Sequence, residues 1–151
     1  MLLCTQSDEK FVSRAVDQAF KSELRARLGC VAVSSGKVIA KGCNHNRTYS
    51  KDGLIENTCS THAEIEVLRQ CLKLNKIRKI SMYIVRISRD GNLLCSAPCK
   101  QCLEKMQQFK IKTLTYVNKD GSVIKQNFHD YTTDFETSGK IALLKKRVRV
   151  I

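Results

Sequence analysis

Thr61-His62-Ala63-Glu64 and, further along, Ser96-Ala97-Pro98-Cys99-Lys100-Gln101-Cys102 decide the reading of this 151-residue chain. Together they supply one imidazole, two thiols and one carboxylate left over. A catalytic zinc takes three protein ligands and keeps a fourth position open for water, a count that His62, Cys99 and Cys102 satisfy. Glu64 is then available to move protons. On a helix His62 and Glu64 stand two positions apart and do not share a face, so both reach one metal only near the first turn. Cys99 and Cys102 are three apart, the spacing at which two thiolates at a helix start converge on one ion. Pro98 suits the first helical turn, where its missing N–H costs nothing. The positive end of that helix favours thiolate over thiol.

Each half has a plainer reading. Thr61-x-x-Glu64 is also a capping box, in which Thr61 caps the helix and Glu64 bonds back to it. Cys99-x-x-Cys102 alone is equally a redox pair or half of a structural zinc site. Cys59 precedes His62 by three residues, a legitimate zinc spacing, and so is an alternative ligand. The conjunction decides: H-x-E followed by P-C-x-x-C is a signature of zinc-dependent nucleobase deaminases.

On these residues the chain resembles the cytidine/deoxycytidylate deaminase superfamily, from about Phe11 to Lys125. The resemblance implies zinc on His62, Cys99 and Cys102, and Glu64 as the catalytic proton shuttle. It also implies a substrate-contacting Asn44 at the end of Gly42-Cys43-Asn44, and backbone N–H groups near Ala63 and Cys99 that hold the base edge. A homo-oligomer is expected on the same ground. By itself, Asn after Gly also marks an ordinary turn.

The remaining sequence fits a single domain over residues 1–151, with a core from about 8 to 126 and a basic extension over 127–151. An apolar content of 42% suffices for one packed core. From Asp8 to Leu28, Val12, Val16, Phe20 and Leu24 recur every four residues beside Ala15 and Ala19, predicting an amphipathic helix capped by Ser7. Cys30–Val33 and Lys37–Ala40 flank Ser34-Ser35-Gly36 as a tight hairpin. Residues 47–59 read as a polar loop. Ile65, Leu68 and Leu72, with Val67, Cys71 and Leu74 beside them, predict a largely buried second helix. Ser81–Ile87 is rich in β-formers and ends at Arg89-Asp90-Gly91-Asn92. Lys112–Val117 and Ser122–Gln126 flank the turn Asn118–Gly121, so these last strands are antiparallel. The expected architecture is a three-layer α/β/α, cytidine-deaminase-like domain on a mixed five-stranded sheet. In the resembled superfamily such a terminal hairpin looks more like the cytidine deaminases, whereas deoxycytidylate and tRNA deaminases tend to insert a helix there.

Eight cysteines without a signal peptide place the chain in a reducing compartment, read as cytoplasmic, and no apolar run approaches the ~18 residues of a membrane span. Cys30, Cys43 and Cys71 fall within apolar segments, as small core residues do. The net charge of +13 creates a field that draws in phosphates. Lys73, Lys76, Arg78 and Lys79 form one basic cluster, and Lys140, Lys145, Lys146, Arg147 and Arg149 another. Such runs also serve as plain solvated surface. Ile141, Leu143 and Leu144 in the basic extension predict a final helix. The function expected is hydrolytic deamination of a cytosine nucleoside or nucleotide, with zinc hydroxide attacking C4 and Glu64 passing the protons. The alternatives are a deaminase of RNA or single-stranded DNA, tRNA adenosine included, and a non-catalytic zinc-stabilised binding module.

Overall fold

The computed structural model describes residues 2–46, 51, 52, 54, 62–76 and 78–133, with the backbone alone for residue 78. The elements run α1 (Gln6–Ala19), β1 (Arg27–Ser34), β2 (Lys37–Cys43), α2 (Ala63–Lys73), β3 (Arg78–Ile87), β4 (Leu93–Leu94), α3 (Lys100–Met106), β5 (Lys110–Val117) and β6 (Val123–Asn127), followed by a 3-10 turn (Phe128–Asp130). The main path of the sheet is β2-β1-β3-β5-β6. Only β3 and β5 are parallel. The expected mixed sheet is therefore present, with a sixth short strand: β4 pairs with β3 at Arg86 and Ile87, beyond the point where β5 leaves it.

Two apolar layers sandwich this sheet. On one face Phe11, Ala15 and Ala19 of α1 pack against Val31, Val33, Tyr83, Val85 and Ile87. On the other, Ala63, Leu68, Cys71 and Met106 of α2 and α3 pack against Cys30, Ala32, Met82, Ile84 and Leu114. The alternation of even and odd residues along β1 and β3 sends each set to its own face.

The first helix differs from its expected limits. Thr5, not Ser7, is its cap: the Asp8 N–H donates to Thr5 Oγ1 at 3.2 Å, and the Asp8 carboxylate accepts the Thr5 N–H at 2.7 Å. The helix ends at Ala19, well short of Leu28, because Arg27 onward must pair with β3 and Ser22 turns its hydroxyl onto Asn44 Oδ1 at 2.6 Å. Its buried stripe is Phe11-Ala15-Ala19, while Phe20 faces water. Small residues are needed there because Gly29 lies under them; a Cβ on Gly29 would meet the Ala15 carbonyl oxygen at 2.0 Å. In α2, Leu72 and Leu74 are 42% and 55% exposed, so the buried face ends at Cys71 rather than running through them. The β1–β2 hairpin turns at Ser35 and Gly36, both with positive φ, the signature of a primed turn matched to strand twist.

An irregularity in the parallel pair has a clear cause. Arg78 pairs with Lys110 and Ile80 with Ile111, so Lys79 is an extra residue on β3; Ser81 then pairs with Thr113, so Lys112 is an extra residue on β5. Without these bulges Ile80 would stand opposite Lys112, and Lys79 opposite Ile111. With them both isoleucines enter the same core and both lysines reach solvent.

Candidate metal centre and active site

Helices α2 and α3 begin with residues that do not cap them. His62 and Cys99 occupy the N-cap positions in extended backbone, and neither side chain makes a capping hydrogen bond. Ser, Thr, Asp or Asn would ordinarily close such an end. Here the imidazole and the thiol turn toward one another instead. Pro98 consequently precedes the cap of α3 rather than standing in its first turn, and Thr61, half of the expected capping box, lies outside the described residues.

His62 Nδ1 lies 3.0 Å from Cys102 Sγ and 3.7 Å from Cys99 Sγ. Among the described residues these three form the group that could hold a metal, their ligand atoms all within 4.8 Å of one another. Tetrahedral zinc with ordinary bond lengths sets a nitrogen and a sulfur about 3.6 Å apart, so the donor set fits that ion. Cys59 lies outside the described residues.

The electrostatics of the pocket agree with this fit. A hydrogen bond from Cys102, with help from His62, overcomes burial and holds the Cys99 sulfur down at about 4. Burial and the hydrogen bond to Cys99 drive Cys102 well up. The metal-free pair thus shares one proton, which a metal must displace. For His62, burial works against the proton, but the Cys99 hydrogen bond and the Glu64 charge outweigh it and raise the pKa. Glu64 stands in the second position of α2, is 2% exposed, and has an Oε1 with no hydrogen-bond partner. Burial raises its pKa against the pull of His62. A buried carboxyl with an unused oxygen costs stability unless something else occupies the pocket.

The scaffold behind the cysteines is tightly pinned. Ser96 Oγ donates to the Ile84 carbonyl at 2.7 Å and accepts the Val117 N–H at 2.8 Å, fastening the segment before Cys99 between β3 and β5. Tyr131, after the 3-10 turn, is buried, donates its hydroxyl to the Pro98 carbonyl and meets Tyr116 edge-on at 5.4 Å. The sequence reading missed Tyr131; it lies beyond the region of resemblance, and its one signal is a Tyr just past a strand.

Ala63 is fully buried in the first turn of α2, and its N–H belongs to the set that no helical carbonyl can accept. Asn44 is placed differently. Its Oδ1 accepts from Ser22 Oγ and the Leu28 N–H, and its Nδ2 donates to the Ala26 carbonyl at 2.7 Å. These bonds fasten the end of β2 to the α1–β1 connection and leave one amide hydrogen over. Cys30 and Cys71 are buried thiols pushed up by burial, Cys71 to about 11, as befits core residues; Cys43 is only half-buried.

The sequence model of the cytidine and deoxycytidylate deaminase zinc-binding region matches residues 5–118. Among solved structures, the dCMP deaminase of cyanophage S-TIM5 in complex with dCMP and dUMP superposes with a TM-score of 0.60 at 20% identity, covering 78% of this chain and 85% of that one. The cytidine deaminase of Burkholderia pseudomallei gives 0.61 at 20% identity, covering 84% and 95%. That of Mycobacterium leprae gives 0.55 at 18% identity, covering 80% and 92%.

Proposed function

This chain belongs to the cytidine and deoxycytidylate deaminases, zinc-dependent hydrolases of nucleobase C–N bonds, and on that premise we propose that it removes the 4-amino group of a cytosine nucleoside or nucleotide. The observation that carries the reading is Glu64 Oε1, buried and without a partner beside His62, Cys99 and Cys102. A site with only a structural metal has no use for such a group.

In this reading His62 Nδ1 and the Cys99 and Cys102 sulfurs hold the ion. When bound, zinc supplies a Lewis acid that lowers the pKa of a water toward ~7. Glu64, its own pKa raised by burial, accepts a proton as the water oxygen bonds to C4. It passes that proton to ring N3, then takes the proton of the new C4 hydroxyl and gives it to the amino nitrogen; as C4=O forms the C4–N bond breaks and ammonia leaves. The net change is water plus cytosine to uracil plus ammonia, and Glu64 ends as it began. The N–H groups at the starts of α2 and α3, near Ala63 and Cys99, hold the base edge. Asn44 acts on substrate through its remaining amide hydrogen. The β5–β6 hairpin supports a cytidine-type substrate over the alternatives.

The test is ammonia release by zinc-loaded protein from cytidine, deoxycytidine, their monophosphates, tRNA and single-stranded DNA, with Glu64→Ala as the blank. Turnover of a small cytosine substrate that vanishes in the blank is the expected result. Turnover of nucleic acid alone would replace this reading with an RNA or DNA deaminase.

A further inference from the structure

Two segments of the chain, 72–80 and 107–113, contain no Asp or Glu and carry exposed Lys73, Lys76, Lys79, Lys110 and Lys112. They meet because β3 and β5 are parallel neighbours that both begin here, Arg78 being the register partner of Lys110. Lys79 and Lys112, the two bulged residues, flank one Ile80–Ile111 pair on strands ~4.8 Å apart. Lys79 adopts φ 57°, a left-handed backbone that glycine or asparagine would accept with less strain. Burying two isoleucines explains the bulges. It does not explain a lysine in the strained position, four more lysines around it, or the lack of Asp and Glu in both segments. Among the described residues none of these lysines enters an ion pair.

This end of the domain is remote from the metal centre. It lies at the C-terminus of α2, whose 11 residues span ~16 Å from the end that carries His62. A single nucleotide bound at Glu64 cannot also reach it.

We propose that this lysine-lined end docks the phosphate backbone of a nucleic acid. Lysines are flexible point charges, suited to repeated phosphates rather than to one shaped ligand. An anionic lipid surface would instead want one apolar face to insert. Exposed Leu72 and Leu74 are two positions apart and do not share a face.

The test uses the full zinc-loaded chain and a short labelled single-stranded RNA, with binding followed by fluorescence anisotropy between ~50 and ~200 mM salt. Replacing Lys73, Lys76, Lys79, Lys110 and Lys112 by Gln should weaken binding about tenfold or more and flatten the log–log salt slope by about 3. Lys79→Gln with Lys112→Gln alone should flatten it by about 1. The control replaces Lys10, Lys21, Lys37, Lys41 and Lys119 by Gln, an equal change in charge, and should keep most of the affinity. Equal losses in patch and control variants would overturn the proposal, as would binding to phosphatidylserine vesicles with none to RNA. Glu64→Gln should bind RNA as the parent does, which separates this result from the fate of the proposed reaction.

Discussion

Two carboxylates are buried on opposite faces of the same sheet, and they are treated in opposite ways. Asp8, under α1, is surrounded by donors: the Thr5 N–H and hydroxyl, the Tyr83 hydroxyl, and Lys125 Nζ at 2.9 Å. Burial would push it up, yet these bonds prevail and hold it down at about 2. Glu64, under α2, keeps an oxygen with no partner, and burial prevails. A fold that can satisfy one buried carboxylate so completely has the means to satisfy another. The carboxylate left unsatisfied stands beside the proposed metal ligands, where in the proposed reaction an incoming water needs an acceptor.

The contrast can be broken most violently at its metal side. Cys102→Ala should remove bound zinc and abolish ammonia release, with zinc content measured on the purified protein, because ligand loss costs both the ion and the packing around it. Glu64→Gln should lower turnover about 100-fold or more while zinc stays stoichiometric. If both turnover and zinc fell together, Glu64 would be a ligand rather than a proton carrier. Asp8→Asn should do the reverse, costing about 2 kcal/mol of stability by chemical denaturation and sparing turnover. Tyr131→Phe removes one hydrogen bond to the Pro98 carbonyl and should cost about 1 kcal/mol by the same measurement.

The pH dependence sharpens the comparison, because the two groups carry opposite signs. The folded pKa of Asp8 lies below its ordinary 3.8, so its contribution is present above that pH and is lost as pH falls toward about 2. The folded pKa of Glu64 is raised, so in metal-stripped protein its contribution is present at acid pH and is lost as pH rises past the ordinary carboxylate range. Unfolding curves of the metal-free protein should therefore show Glu64→Gln gaining on the parent as pH climbs above ~4.3. Asp8→Asn should recover toward the parent as pH drops below 3.8. Parallel curves for both variants would mean that the two environments do not differ.

The strands and the cluster of proposed metal ligands were legible because each rests on local pattern. Alternation marks Ser81–Ile87, the turn residues mark both hairpins, and the spacing of His62, Glu64, Cys99 and Cys102 marks the site. What escaped depends on tertiary contact. The end of α1 at Ala19 follows from the demand of β1 for its partner, not from any helix breaker. The choice of Thr5 over Ser7 as cap depends on Asp8 being fixed by Tyr83 and Lys125 across the sheet. The bonds of Asn44 to Ser22, Ala26 and Leu28 require three segments to have met already. The sequence reading grouped Lys73, Lys76 and Lys79, but Lys110 and Lys112 join them only through the parallel pairing of β3 and β5.

The twin bulges at Lys79 and Lys112 also bear on how this region can vary in length. The register slips by one residue on β3 and is restored by one on β5. Deleting Lys79 alone, or Lys112 alone, would leave the strands one residue out of step and turn one end of the pair to the wrong face. Deleting both would leave an unbroken ladder. Insertions and deletions at these two positions are therefore coupled: a related chain that has lost one of the two residues should have lost the other.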